Sequence, residues 1–574
     1  MSDRQETRFG LRDLRFVRND GAPMSAYPYS LLVNGSSIFL KGWTMVPLDH
    51  LYGRPNDGKL ERLLRLAQDA GANAVRVWGG GIPESEEFYA HCDELGLLAW
   101  QDFMQTGSWA GGTPSPDSRY LAGWETLAPE IIRRRRNHPS LAIWCGGSEL
   151  RDRDGKPATG KEPVLALLQR LVREHDPERL FLPSTPSGPL FNVPLEQPAL
   201  TAKEQHDIHL PLRYLGSERH YAYHNQLNPL LIGAGGCAGA ANYGAMHLVA
   251  REERLWPPTN ANSLWVHRGQ RWVDYLMLDG LFGLITDLQG YIQASQFIQA
   301  EGLRYLIEAN RRRKWHCSGV FLWQLNEPWP NLVCTNAIDY FGQPKPAYYL
   351  AANAFQAEAV TAKYERINWR PGERFTADLF VHNSLERARP LEVAWSLHDL
   401  NGNNLAGWCK ETFSHPSSVA QVGKAEWIIP EEFTQPFMLR LQLHANGKTL
   451  HQNDYIFSSA LQPIFSHLRH LPPADLAMRV TEEDGAMAVT VTNTGGLLAL
   501  GVTIFRPDGH WLYGIDNYRH LLPGEEWTAH FTRAPREGFY MGLDGRPERR
   551  EIAISAWNTL PQRMLYEVPV PVAE

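Results

Sequence analysis

The chain has 574 residues and a mass of 65.0 kDa, room for roughly three or four units of about 150 residues, or for one barrel of about 250 or more residues with smaller domains attached. Apolar residues make up 43% and charged residues 21%, and the 48 Gly and 40 Pro are scattered rather than periodic, which excludes a collagen-like, coiled-coil or disordered chain. With 56 Lys and Arg against 63 Asp and Glu, the net charge of −7 speaks against nucleic acid as a partner.

The first residues, MSDRQETRFG, are polar and contain no hydrophobic run of the kind a secretory signal needs, so the expected location is cytoplasmic. No apolar stretch approaches the roughly 18 residues of a membrane span, and none is expected to enter a bilayer. Cys92, Cys145, Cys237, Cys317, Cys334 and Cys409 lie far apart without a C-x-x-C pair, the pattern of reduced thiols rather than a disulfide frame or zinc site.

From residue 28 onward, short apolar runs alternate with amphipathic stretches. The runs are SSIFLKGW (36–43), NAVRVWGG (73–80), LLAWQDF (97–103), LAIWCGG (141–147), LFLPST (180–185), QHDIHL (205–210), PLLIGAG (229–235) and SGVFLWQL (318–325). Eight βα units predict a (β/α)8 TIM barrel over 28–357, after a short leading stretch at 1–27. DGKLERLLRLAQDAG reads as a helix capped by Asp57 and closed by Gly71, and FIQAEGLRYLIEANRRRK as another running to Arg313. The long stretch 236–317 is expected to hold loops and two helices. After residue 360 the pattern changes to alternating strands broken by Asn, Gly and Pro, which predicts two all-β immunoglobulin-like sandwich domains, at 358–460 and 461–574.

In such a barrel the chemistry sits at the C-terminal strand ends. The polar residues there are Asp49, Trp78, Asp102, Glu149, Asp207 with His209, and Asn326 with Glu327. Carboxylates and indoles around one mouth suit a sugar, whose hydroxyls need charged partners and whose C–H faces stack on rings. His206 and His209 fall on opposite faces of a strand and have no further ligand spacing beside them, so neither a metal nor a cofactor is expected. The glycines at 79–81 lack the Lys and the spacing of a phosphate loop. The basic runs at 133–136 and 311–314 read as solvated helix ends. Trp144, inside an apolar strand, reads as core.

Four stretches carry a resemblance: VRVWGGGIPESEEFYAHCDELGLLAWQDF (75–103), NHPSLAIWCGGSEL (137–150), FLWQLNEPWP (321–330) and AIDYFGQPKPAYY (337–349). Together they resemble glycoside hydrolase family 2 in its β-mannosidase-like branch, over roughly 320 residues. The resemblance implies a retaining β-glycosidase with a carbohydrate substrate. It places the general acid/base at Glu149, and it puts Asp49, Trp78, Asp102, Ser148, His209, Trp323 and Glu327 around the sugar, with Asp102 either binding it or orienting a neighbour. Trp323 is expected as the stacking platform, with Trp323 and Glu327 forming the pocket floor and rim. Ser148 stands where the family usually has the Asn that bonds the sugar 2-hydroxyl. FGLRDLRFVRND looks like the family's last linker strand before the barrel. The usual front domains are expected to be replaced by a second copy of the chain, by a partner subunit or by the long insertion before the last strand.

The larger departure is on strand 7. There LLIGAGGCAG puts Ala234 where the family carries its nucleophilic Glu. A retaining mechanism needs two carboxyl groups about 5 Å apart, and a methyl group neither attacks nor stabilises the sugar cation, so hydrolysis is expected to be severely impaired. The favoured explanation is an engineered Glu→Ala in an otherwise active enzyme. The other is a naturally inactive carbohydrate-binding or scaffolding protein, or one whose base comes from Glu204 or Asp207.

Overall fold

A computed structural model describes residues 4, 9–54, 58–107, 112–269, 272, 274–483, 486–506, 514–532, 550–559 and 562–566. Its centre is an eight-stranded sheet. In chain order the strands are Leu40–Met45, Ala74–Val77, Leu98–Asp102, Leu141–Cys145, Leu180–Leu182, Asp207–His209, Leu231–Gly235 and Gly319–Leu322. They pair in the order 5-4-3-2-1-8-7-6, all parallel, which is the sequence-neighbour order of a (β/α)8 barrel. The sheet is open only between strands 5 and 6, which are three residues each. Side chains cross that seam instead: Thr185 Oγ1 lies 3.0 Å from His209 Nε2, and Ser187 Oγ donates to Asp207 Oδ2 at 2.9 Å.

Because helices cover the outside and side chains fill the inside, the strands read as unbroken apolar runs, and every residue of Leu141–Cys145 is buried. Between strands 1 and 2 the helix Lys59–Asp69 turns Leu60, Leu63, Leu64 and Ala67 inward. It starts after Gly58; Asp57, expected as its cap, lies outside the described residues. Ser85 caps Glu86–Leu95, its hydroxyl accepting the Phe88 N–H at 3.3 Å, and Gly96 at φ 69° ends that helix.

The run expected as one strand at 36–43 is divided. Ser36–Ile38 pairs with Ser30–Val33, which pairs with Leu14–Val17, in a small antiparallel sheet. Tyr29 and Leu31 pack with Leu40, Ala74, Ala142, Leu182 and Phe321, closing the barrel at the end opposite the strand C-termini. The insertion before strand 8 holds more helix than expected: Tyr243–Val249, Glu252–Leu255, Ser263–Arg268, Tyr275–Phe282 and Leu288–Arg311. Four of these have 7, 4, 6 and 8 residues, too short to leave a clear periodicity in the sequence.

Two sandwiches follow. In the first, a three-stranded sheet (Glu358–Lys363, Arg374–Asn383, Val419–Ile428) faces a four-stranded one (Asn404–Ser414, Arg389–His398, Pro436–Ala445, Lys448–Ser458). The second repeats the three-on-four arrangement between Leu476 and Tyr566 around its own core of Val489, Val491, Ile504, Trp527, Phe531 and Ile554. A buried polar seam joins the first sandwich to Leu288–Arg311: Glu308 accepts from Tyr455 Oη at 2.9 Å and from Asn453 Nδ2 at 2.8 Å. No helix among the described residues is long and apolar enough to cross a membrane.

Candidate active site

At the end of strand 4 the chain passes through Gly146 and Gly147 to Ser148 and Glu149. A Cβ on Gly146 would stand 2.3 Å from Pro183 O, and one on Gly147 2.6 Å from Gln105 O, so only glycine lets the backbone run this close to its neighbours. Glu149 itself has φ 57°, a left-handed conformation costing a non-glycine residue about 1–3 kcal/mol. Its backbone is held there from both sides. Ser148 N–H donates to Gln105 O at 2.9 Å, Glu149 N–H to Thr185 O at 2.8 Å, and Leu150 N–H to Ser184 Oγ at 3.1 Å. The Glu149 side chain is 32% exposed, and its Oε1 lies 3.1 Å from His209 Nδ1. The carboxyl is thus fixed in place, partly exposed and beside an imidazole.

Strand 7 ends differently. The pairing of strands 6 and 7 slips between Ile232 and Ala234, so Ala234 comes to lie beside His209. The preceding residue is glycine of necessity, since a Cβ there would be 2.3 Å from Asp207 Oδ1 and 2.4 Å from Thr185 Oγ1. Gly233 O accepts from Arg76 Nη1 at 3.0 Å, and Arg76 Nη2 donates to Asp102 Oδ2 at 2.7 Å, both side chains fully buried. Asp102 Oδ2 also takes the Gly79 N–H at 3.1 Å. Strand 7 thus presents a methyl group, not a carboxylate, beside His209.

Neither carboxylate considered as a replacement base is placed for it. Glu204 is exposed at the end of the 3-10 turn Pro198–Glu204, before strand 6 begins and hence at the far end of the barrel from Glu149. Asp207 is fully buried beneath Ser187, Thr185 and Gly233, and burial raises its pKa.

The rim carries the expected indoles: Trp78 and Trp323 are both half-buried, and their rings meet edge to face at 5.3 Å. Asp49 Oδ2 accepts from Tyr340 Oη at 2.6 Å and from Arg54 Nη1 at 2.9 Å. Burial opposes its ionisation, but the bonds from Tyr340, the Leu51 N–H and Arg54 prevail and hold the carboxyl below its ordinary value. A cavity of about 260 Å³, lined by Asp49, Tyr52, Lys59, Trp78, Ile82 and Arg135 among others, opens beside this pair. A larger cleft of about 500 Å³ runs past Gly79–Gly81, Gln105, Thr106, Tyr120 and Leu150.

Four of the expected residues turn inward. Glu327 is not on the rim: it is buried, accepts the Tyr340 N–H at 2.9 Å and Asn331 Nδ2 at 2.8 Å, and burial raises its pKa. It supports Tyr340, which in turn holds Asp49. Asp102 faces Arg76 rather than a ligand. Asn326, at the same strand end as Glu327, clamps both polar groups of the Val46 backbone. Ser148 lies beside Glu149 but is itself buried. Trp144 is core, stacked on Phe103 and donating to Asp176, and among the described residues no group of three potential ligands could hold a metal ion.

Arg76, Thr185 and Tyr340 were not singled out in the sequence. The signal for Arg76 is a lone cation in the apolar run AVRV, which demands a buried partner. Tyr340 lies inside a family-like stretch, but its contact with Asp49 spans 291 positions.

Residues 28–189 match the family model for the TIM barrel domain of glycosyl hydrolases family 2. β-Mannosidase B of Emericella nidulans is 27% identical over 412 residues, 66% of this chain and 46% of that protein. β-Mannosidase B of Aspergillus niger is 28% identical over 389 residues, 62% and 44% of the two chains. The chain thus spans about half the length of the curated relatives it matches. Among solved structures, the β-D-mannosidase of Dictyoglomus thermophilum superposes with a TM-score of 0.77 at 24% identity, covering 97% of this chain and 65% of that one. The exo-chitosanase of Amycolatopsis orientalis does so at 0.75 and 20% identity, covering 98% and 68%. These two likenesses establish the fold.

Proposed function

We propose that this chain, whose residues 28–189 match the barrel domain of glycosyl hydrolases family 2, is built to take the non-reducing end of a β-linked sugar, as an exo-β-mannosidase does. Glu149 is the acid/base in this reading, Trp78 and Trp323 stack on the sugar, Asp49 accepts its hydroxyls, and position 234 is the vacated nucleophile site. The observation that carries it is the paired state of the two strand ends: Glu149 is held in a costly backbone conformation with its carboxyl toward the mouth, and Ala234 stands beside its partner His209. With no carboxylate at 234 the first displacement at the anomeric carbon is severely slowed. The chain then binds β-glycosides and turns them over very slowly. Six unpaired cysteines support a reducing, cytoplasmic setting.

The test is a panel of p-nitrophenyl β-glycosides offered to the chain, to its Ala234→Glu variant, and to the unaltered chain with azide. Azide attacking from the vacated face displaces the aryl leaving group, which Glu149 protonates, and leaves an α-glycosyl azide. Turnover of one sugar by the variant or the azide-treated chain supports the reading and names the sugar. The absence of Glu at 234 also favours a second reading, a carbohydrate-binding pseudoenzyme. Glycan binding without turnover under either condition selects that reading, and failure to bind any glycan rejects both.

A further inference from the structure

Beneath Glu149 runs a chain of polar groups that the reading above leaves without a role. His209 Nδ1 faces Glu149 Oε1 at 3.1 Å, and His209 Nε2 faces Thr185 Oγ1 at 3.0 Å. Thr185 Oγ1 and Asp207 Oδ1 crowd one point, 2.4 and 2.3 Å from where a Cβ on Gly233 would stand. The other Asp207 oxygen accepts from Ser187 Oγ at 2.9 Å. Ser187 Oγ also lies 3.1 Å from Tyr29 Oη, whose own proton goes to Ser187 O at 2.7 Å.

Asp207 is fully buried, and its Oδ1 has no hydrogen-bond partner among the described residues, although Thr185 Oγ1 crowds the same point above Gly233. A buried carboxylate oxygen without a donor costs about 1–3 kcal/mol or more, and the rotatable Thr185 hydroxyl is the donor within reach. A threonine hydroxyl has one proton. If it points at Asp207, its lone pair must receive the Nε2–H of His209, and His209 Nδ1 is then a bare acceptor facing Glu149. The contact between His209 and Glu149 closes only when that pair shares a proton.

We propose that Asp207, acting through Thr185, is a positioning residue that fixes the tautomer of His209 and so keeps a proton on the Glu149–His209 pair. The functional meaning rests on Glu149 being the general acid. The proton arrangement itself does not. The other titratable and charged groups around Asp207 are Tyr29, Arg76 and Cys145, together with Asp102 on the far side of Arg76. Burial favours a neutral Asp207, while Arg76, His209 and the two hydroxyls favour the anion. A neutral Asp207 would release Thr185 and undo the arrangement.

The experiment is the ¹⁵N spectrum of the histidine-labelled chain at neutral pH, with His209 assigned by its loss in H209Q. The expected result is an Nε2-protonated His209 in the unaltered chain and in T185S, and an Nδ1-protonated ring in T185V and D207N. T185S guards against misfolding, because it keeps the hydroxyl while disturbing the same packing. An Nδ1-protonated ring in the unaltered chain, or one tautomer shared by all four proteins, overturns the proposal. If Ala234→Glu restores turnover, T185V in that background should move the alkaline limb of kcat/KM to lower pH by about one unit, about tenfold in rate at a fixed alkaline pH. The direction follows because an Nδ1–H donor stabilises ionised Glu149. An unmoved limb with a changed tautomer leaves the geometry standing and rejects its link to the acid. No turnover in any background, with the tautomers as expected, counts against the glycosidase reading alone.

Discussion

Strands 4 and 7 end on the same rim of the barrel, and they have been treated in opposite ways. The end of strand 4 keeps a large ionisable side chain in a left-handed backbone conformation, with backbone hydrogen bonds from Ser148, Glu149 and Leu150 holding it there. The end of strand 7 carries Gly233, Ala234 and Gly235, and its neighbours have closed in: Asp207 and Thr185 occupy the space a side chain at 233 would need. Strain persists only where surrounding structure over-determines it. Strand 4 therefore holds an ionisable side chain under strain at the rim, whereas strand 7 presents only a methyl group there, with its polar neighbours Asp207 and Thr185 buried beneath it.

The strongest way to break this contrast is through Arg76, which ties strand 7 to strand 3. Its guanidinium joins Gly233 O to Asp102 with neither charged side chain exposed. Removing one partner strands the other charge, at a cost of about 3–5 kcal/mol. Arg76→Met should lose that much in urea unfolding, whereas the double variant with Asp102→Asn should lose less. Equal losses in the single and double variants would mean that the pair is not the bond holding the two strands.

How much of this could be read in advance depends on how local each signal is. The eight strands were legible because a strand buried on both faces is a continuous apolar run, and Leu141–Cys145 is the plainest case. The place of Glu149 at the end of strand 4 was legible because the glycines before it and the motif around it are contiguous. The slip in register at Ile232–Ala234 and the closing of the mouth by Tyr340 were not legible. Both are pairings between distant segments that leave no periodicity behind. Glu327 shows the limit most clearly: its place after strand 8 suggested a rim, but the following loop folds back and buries it under Tyr340.

The rim gives a smaller effect with a defined pH dependence. Tyr340 Oη donates to Asp49, whose carboxyl is held below its ordinary value. A depressed carboxyl contributes stability above its unfolded pKa and loses it as pH falls through the folded one. Tyr340→Phe should therefore cost about 1.5–3 kcal/mol at neutral pH, the range for a hydrogen bond to a charged group, and progressively less as Asp49 protonates. A loss that is the same at neutral and strongly acidic pH would assign it to packing around the Tyr340 ring instead.

The finest test goes back to the strand 4 end and asks whether its backbone is strained as the φ of 57° requires. Glu149→Ala and Glu149→Gly both delete the carboxyl and its contact with His209, so the difference between them isolates the backbone. Glycine adopts this conformation freely, while alanine does not, and the glycine variant should be more stable than the alanine variant by about 1 kcal/mol. In an ordinary helix or strand the same pair of substitutions has the opposite sign, glycine being worse by about 0.5–1 kcal/mol. The sign alone therefore decides the matter. A more stable alanine variant would mean that the loop relaxes once the side chain is gone, and that the conformation at Glu149 follows from its carboxyl contacts rather than from the hydrogen bonds of strands 3, 4 and 5 around it.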